Sequence, residues 1–356
     1  MAARVRYYMH CRAGKSLDEE PVGIAGVAMR PRVYVTQPIA DSALGRLREI
    51  AEVEINHDSS RVLPKSKLVE AARRSDILLC LLHDVVDRDV LAANPKLKAI
   101  ASMTITPDRI DVEEATTRKI IVTNIPAVVT DATADLAFGL LLACARRIAE
   151  GDRVARSGVF PGSQSNHLAG AAVSGKTLGI IGIGRIGQAM ARRARGFDMT
   201  VLYTDPRALS VEEEQKLGVK LVELDALLGQ SDFISLHPAL NEETRHMIGT
   251  RQFALMKPTA YLINTSRGPI IDEPALAKAL AENRIAGAGI DVYEHEPKIE
   301  RGLLTLNNVV LTPHLGSAVM ELREGMAHIV VDNIKAIAEG KEPPNCINPA
   351  VFAPGA

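Results

Sequence analysis

Tryptophan is absent from this 356-residue chain, and only six tyrosines and six phenylalanines supply aromatic surface. Stacking platforms for bases need aromatics, so single-stranded nucleic acid is a poor partner. An excess of either charge is missing too: 42 Lys+Arg against 43 Asp+Glu leave a net charge of -1. Without a long like-charge run, no field gathers a phosphate backbone or an anionic membrane. Cysteine is sparse. Cys11, Cys80, Cys144 and Cys346 stand far apart with no CxxC spacing. That excludes a disulfide framework or a spaced zinc motif, assigns no metal, and fits a reducing cytoplasm. No apolar run reaches the roughly 18 residues of a membrane span, and the N-terminus lacks a basic-then-apolar signal pattern.

What is present is an ordinary globular composition, 47% hydrophobic and 24% charged. The length implies about two domains. Residues 1–28 lack clear periodicity, and a second start-like segment opens at Met29. The leader reads as an appendage, either disordered or produced by a misassigned start. From Pro31 short apolar runs alternate with amphipathic stretches. Strands are expected at Arg32–Val35, Ile77–Cys80, Leu97–Ala101 and Ile120–Thr123, with helices at Ser42–Glu49 and Asp87–Ala92. One long helix is expected from Thr130 to about Arg156. Further strands follow at Thr177–Ile181, Thr200–Tyr203, Phe233–Leu236, Tyr261–Asn264, Ala288–Val292 and Val309–Leu311. Such alternation predicts parallel sheets covered on both faces, in two α/β domains with a boundary near residue 128. A final helix, Ala318 to Glu339, is long enough to return to the first domain.

The strongest local motif is Gly182-Ile-Gly184-Arg-Ile-Gly187, between an apolar strand and a helix expected over Arg185–Arg195. In G-x-G-x-x-G the first glycine makes the tight turn and the second lets a pyrophosphate approach the backbone. The third lets helix and strand pack closely, and the helix N-terminus faces the phosphates. Asp205 lies 18 residues beyond Gly187, after the next strand. Its carboxylate would accept from both ribose hydroxyls and repel a 2′-phosphate, which favours NAD(H) over NADP(H), with Arg207 next door opposing. Three polar clusters then follow strands: Asn264-Thr265-Ser-Arg267-Gly, Asp291-Val-Tyr-Glu294-His-Glu296-Pro and Thr-Pro-His314-Leu-Gly316. Ligands of open parallel sheets bind beyond the carboxyl ends of the strands, so these three ends converge on one cleft. A cation, a carboxylate and an imidazole suit reduction of a 2-oxo acid. The Arg fork binds a carboxylate bidentately, and an imidazolium protonates the carbonyl oxygen. Glu would orient the imidazole and raise its pKa.

With these motifs in this order, the chain resembles the D-2-hydroxyacid dehydrogenase family, and within it the glyoxylate (hydroxypyruvate) reductases, over residues 31–349. The resemblance implies a Rossmann-type doubly wound sheet at 129–318 as the NAD-binding domain. A smaller flavodoxin-like substrate domain would be formed by 29–128 and 319–356. It implies catalytic roles for Arg267, Glu296 and His314. Glu296 is selected over Glu294 because the family's Glu lies five residues beyond Asp291. Asp291 would bind the nicotinamide carboxamide, and His237-Pro238 would lie along the cofactor. The other implied cofactor contacts are Gly182, Gly184, Arg185, Ile186, Gly187, Asp205, Thr265, His314 and Gly316. A cytoplasmic homodimer joined through the NAD-binding domains is implied, acting on a small 2-oxo or 2-hydroxy acid.

Departures from the family pattern concentrate at the substrate. Ala101-Ser-Met-Thr104-Ile105-Thr106-Pro107-Asp replaces a Gly-containing loop whose N–H groups receive the substrate carboxylate in relatives. Pro107 removes one such donor, so the loop is reshaped or the Thr104 and Thr106 hydroxyls substitute. His83 stands where relatives often carry a small polar residue, either meeting an extra substrate group or lying on the surface. Relatives often place a Trp in the segment corresponding to Ser157–Ala172, and this chain has none there. Two alternatives on the same fold are disfavoured: formate dehydrogenases pair their His with Gln, and phosphite dehydrogenases carry a Lys at the place of Ile105. A dinucleotide-sensing corepressor-type binding protein stays open as the non-enzymatic reading.

Overall fold

The computed structural model describes residues 30–353; the leader at 1–28 lies outside them. In chain order the first half contains β1 (Arg32–Val35), α1 (Asp41–Ile50), β2 (Glu52–Ile55), α2 (Lys65–Arg74), β3 (Ile77–Cys80), α3 (Arg88–Ala92), β4 (Ala99–Ser102), α4 (Val112–Thr117) and β5 (Ile121–Thr123). These strands form one parallel sheet in the order β2-β1-β3-β4-β5. Central β3 and β4 are buried at every position, as apolar runs between two helical layers must be. Edge strand β2, Glu-Val-Glu-Ile, alternates exposed with half-buried residues.

Two helices follow, α5 (Thr130–Ala145) and α6 (Ile148–Arg156). The single helix expected over Thr130–Arg156 is therefore corrected to two. Arg147 between them has a left-handed φ of 53°. The reason is tertiary: the Ala145 carbonyl accepts from Ala171 N at 2.8 Å, and Gly170 lies so close that a Cβ there would stand 2.2 Å from that oxygen. The returning chain thus takes a carbonyl that a continuing helix would have used.

The second half holds β6 (Thr177–Ile181), α7 (Arg185–Arg195), β7 (Thr200–Thr204), α8 (Val211–Leu217), β8 (Val219–Leu221), α9 (Leu224–Gln230), β9 (Phe233–Leu236), α10 (Thr250–Leu255), β10 (Tyr261–Asn264), α11 (Glu273–Ala281), β11 (Gly287–Ile290) and β12 (Val309–Leu311). Its seven strands are parallel in the order β12-β11-β10-β9-β6-β7-β8. Last comes α12 (Met320–Ala338), which packs Met326, Val330, Ile334 and Ile337 into the core of the first sheet beside Val33, Leu47 and Ile77. No helix among the described residues is long and apolar enough to cross a membrane.

Strand order reverses at β1/β3 in the first sheet and at β6/β9 in the second. Such reversals open a crevice at the carboxyl ends, because successive connections leave on opposite faces. The C-terminal tail closes the other side of the first sheet. Buried Asn348 accepts from Val122 N at 2.8 Å and donates to Ile120 O at 2.9 Å and Thr116 Oγ1 at 3.0 Å. Asn348→Ala leaves a strand amide and a carbonyl without partners. A loss of about 2–4 kcal/mol in urea denaturation is expected, and a loss near zero would show the tail does not anchor β5.

Candidate active site

The β6/β9 crevice is built for close backbone approach. Gly182 has φ +90°, and a Cβ there would meet Pro238 N at 2.6 Å. A Cβ on Gly187 would meet Gly182 O at 2.2 Å, whereas one on Gly184 would meet only open space. Thus Gly182 and Gly187 are required by packing, and Gly184, Arg185 and Ile186 open the N-terminus of α7 to a ligand. At the end of β7, Asp205 accepts from Ile183 N through Oδ2 and from Arg207 N through Oδ1, both at 2.9 Å. The carboxylate braces the Gly-rich turn beside it. Two buried polar atoms in the adjoining loops have no partner, Thr265 Oγ1 and His237 Nδ1. His237 Nε2 is paired with Ser235 Oγ at 2.8 Å. A cradle that tolerates no Cβ, a helix N-terminus and orphaned polar atoms fit a dinucleotide.

The neighbouring loops carry a histidine–glutamate pair. Asp291, wholly buried after β11, accepts from Thr312 Oγ1 at 2.6 Å, Leu315 N at 2.7 Å and Gly316 N at 2.9 Å. This holds the loop after β12 so tightly that His314 adopts a left-handed φ of 55°, a conformation uncommon for a residue with a side chain. Its Nδ1 lies 3.1 Å from both Glu296 oxygens. Burial by itself would raise the Glu296 carboxyl, but the His314 hydrogen bond and charge, the Tyr293 N–H and His83 together hold it below the usual carboxylate range. Arg267 follows β10, where buried Asn264 donates to its carbonyl and accepts from Ser266 N, both at 3.0 Å. Gly268 is required next to it, since a Cβ would stand 1.9 Å from the Tyr293 carbonyl carbon.

Arg267, Glu296 and His314 line one cavity of about 360 Å3 with Asp84, Thr104 and Thr106 from the first sheet. A second cavity of about 420 Å3, lined by Arg147, Glu150 and Tyr261, lies at the amino ends of β10 and β12, away from this chemistry. Thr104 Oγ1 is turned inward, bonding Ser102 Oγ at 2.7 Å and donating to Thr106 O at 2.8 Å. Ile105 packs its side chain against the core of the first sheet, between Thr104 and Thr106 of the cavity lining. Thr106 Oγ1 accepts from Arg267 Nη2 at 2.8 Å and donates to Asp108 Oδ2 at 3.0 Å. His83 is half-buried: its ring meets that of His314 edge-on at 5.8 Å, and its Nδ1 lies 3.5 Å from Glu296 Oε2.

Three residues of the cavity had no part in the sequence reading. Asp108 pairs with Arg267 Nε at 2.7 Å, and Arg109 donates to the Glu296 carbonyl at 3.3 Å. Asp84 accepts from Leu81 N at 2.7 Å and from Thr36 Oγ1 at 2.5 Å, spanning the β1/β3 reversal and fixing the turn that bears His83. Only their adjacency to the unusual Thr106-Pro107 and His83 could have marked them.

The family model described as D-isomer specific 2-hydroxyacid dehydrogenase, NAD binding domain, matches residues 138–316. The chain belongs to this family. A glyoxylate reductase from Thermococcus litoralis is 49% identical over 328 residues, 91% of this chain and 98% of that protein. Among solved structures, a glyoxylate reductase from Paecilomyes thermophila is 32% identical with a TM-score of 0.74, covering 89% of this chain and 98% of that one. An NADPH-dependent glyoxylate/hydroxypyruvate reductase from Sinorhizobium meliloti is 30% identical with a TM-score of 0.72, covering 89% and 98%. The protein is thus an α/β oxidoreductase of 2-hydroxy acids with a Rossmann-like nicotinamide-binding domain.

In this dehydrogenase burial pushes His237 from 6.5 down to about 4. The unfolded chain binds that proton at the higher value, so the residue's contribution to stability is full above pH 6.5 and is lost as pH falls towards 4. Denaturation of His237→Gln across this window is expected to show a shallower fall than wild type. An unchanged slope would remove His237 as its source.

Proposed function

We propose that the protein is an NAD(H)-linked D-2-hydroxyacid dehydrogenase working mainly as a reductase of small 2-oxo acids of the glyoxylate or hydroxypyruvate class. The observation that carries this reading is the meeting of Arg267 and the Glu296–His314 pair at one cavity beside the Gly-rich crevice. Arg267 binds the substrate carboxylate with its fork, and Thr106 shares the position. When bound, the nicotinamide cofactor supplies hydride to the carbonyl carbon. His314 has Nδ1 committed to Glu296, so Nε2 is left to give the carbonyl oxygen its proton. Glu296, ionised at neutral pH, fixes the ring and stabilises its charged form.

Cofactor contacts are assigned to the turn at Gly182–Gly187, to Asp205, and to Thr265, His237 and Pro238, whose orphaned atoms and close backbone support this. Asp291 and Gly316 anchor the loop against which the nicotinamide end would lie. Because one relative is NADPH-dependent, preference for NAD turns on this chain's own Asp205. The domains proposed are 129–318 for the cofactor and 29–128 with 319–356 for the substrate. Exposed Ile148, Val159 and Phe160 support a homodimer joined through the cofactor domain, and three free cysteines among the described residues suit the cytoplasm.

Steady-state NADH oxidation with glyoxylate, hydroxypyruvate, pyruvate and phenylpyruvate tests the reading; inertness to every 2-oxo acid would overturn it. His314→Asn is expected to lower kcat by about 10²–10⁴-fold while NADH binding, followed by fluorescence, stays nearly intact. For Asp205→Ser, the NADPH:NADH ratio of kcat/KM should rise about tenfold or more, the equivalent of one charge contact. A ratio that does not move would sink the ribose role.

A further inference from the structure

We propose that His83, Glu296 and His314 form a binding site for a divalent transition-metal ion of the Zn2+ class, whose occupancy arrests the acid–base pair. The three side chains come from the loops after β3, β11 and β12, and each offers a ligand atom within 4.8 Å of the others. Two edges of the triangle are measured: His314 Nδ1 to Glu296 at 3.1 Å, and His83 Nδ1 to Glu296 Oε2 at 3.5 Å. Bonds of about 2.0–2.1 Å to a tetrahedral ion place ligand atoms roughly 3.3–3.4 Å apart, so an ion fits between them with small side-chain adjustments. Two imidazoles and a carboxylate with a fourth position open are the donor set that takes zinc.

A second observation points the same way. His83 Nδ1 is buried and has no hydrogen-bond partner, an arrangement that costs free energy unless something fills it. Of the Glu296 oxygens, Oε1 already accepts from Tyr293 N at 3.0 Å, while Oε2 meets only the imidazoles. The turn bearing His83 is locked by the Asp84 bonds to Leu81 and Thr36, which presets the third ligand. Arg109, donating to the Glu296 carbonyl, is the opposing cation.

Metal on His314 Nδ1 displaces the proton that this nitrogen directs at Glu296, and that proton is released to solvent. The ring then carries metal on one nitrogen and hydrogen on the other, and it can donate that hydrogen only by becoming an imidazolate. An imidazolate is far too basic to form during turnover near neutral pH, so the occupied protein does not protonate substrate. Metal binding stands independently of the function proposed above; the arrest of turnover rests on it.

The test is calorimetric titration of zinc chloride into the full chain, free of chelator and substrate, for wild type, His83→Ala, His83→Gln and His328→Ala. His328 lies on α12 beside Glu324 and supplies a second histidine–carboxylate pair as control. One ion per chain is expected at the site in wild type. Both His83 variants, shown folded by thermal melting, should bind it at least about tenfold more weakly, and His328→Ala should not. Zinc inhibition of NADH oxidation should weaken in parallel in His83→Gln. Equal affinity and equal inhibition in wild type and His83 variants would overturn the site, as would no binding to wild type. His83-dependent zinc binding in a protein that reduces no 2-oxo acid would leave the site standing and remove the functional reading instead.

Discussion

A wholly buried carboxylate decides where the imidazole stands. Asp291 accepts three hydrogen bonds from the Thr312–Gly316 loop and bends His314 into left-handed backbone. A carboxyl group in so dry a place is tolerated only because these donors satisfy it. Loosening any one would cost stability and let the ring swing. With the loop pinned, Nδ1 must face Glu296, and Glu296 is itself held by Tyr293 N. The pair is therefore preorganised before any ligand arrives, which is how a site stabilises charge at small reorganisation cost.

The same logic recurs on the other side of the cavity. Asp84 is buried, and its Oδ2 takes a hydroxyl from β1 and an amide from the turn after β3. Burial holds its carboxyl above the ordinary range, as expected where desolvation outweighs two donors. Arg267 reaches across to Thr106 and Asp108, joining the second sheet's loops to the first's. The Arg267 fork is thus already engaged by a carboxylate and a hydroxyl of the first sheet's loop. Along the Thr104–Asp108 loop the hydroxyls of Thr104 and Thr106 are tied to Thr106 O, Asp108 and Arg267.

Much of this was legible in the chain. Apolar runs marked the central strands, and the order of Gly-rich turn, Arg, Glu and His marked the residues that meet at the candidate site. What escaped had weak or misleading signals. Edge strands β2 and β8 are short and half exposed, so their alternation carries little amplitude. Helix α2 shows Leu68, Ala71 and Ala72 at helical spacing, but small residues make a faint apolar face. Neither Gly nor Pro announces the break at Arg147, which is caused by chain returning from residue 171.

The sequence by itself determined which residues stand at strand ends, because periodicity and turn chemistry are local. From that followed the α/β class, the dinucleotide crevice and the candidate acid, base and cation. Only the tertiary structure decided which ends face one another. It packed Ile105 against the core, brought His83 onto the Glu296–His314 pair, and set Asp108 against Arg267. Residues 83, 296 and 314 are far apart along the chain, and no spacing rule joins them. They meet because two separate parallel sheets each open at a strand reversal, and packing points both openings at the same cavity.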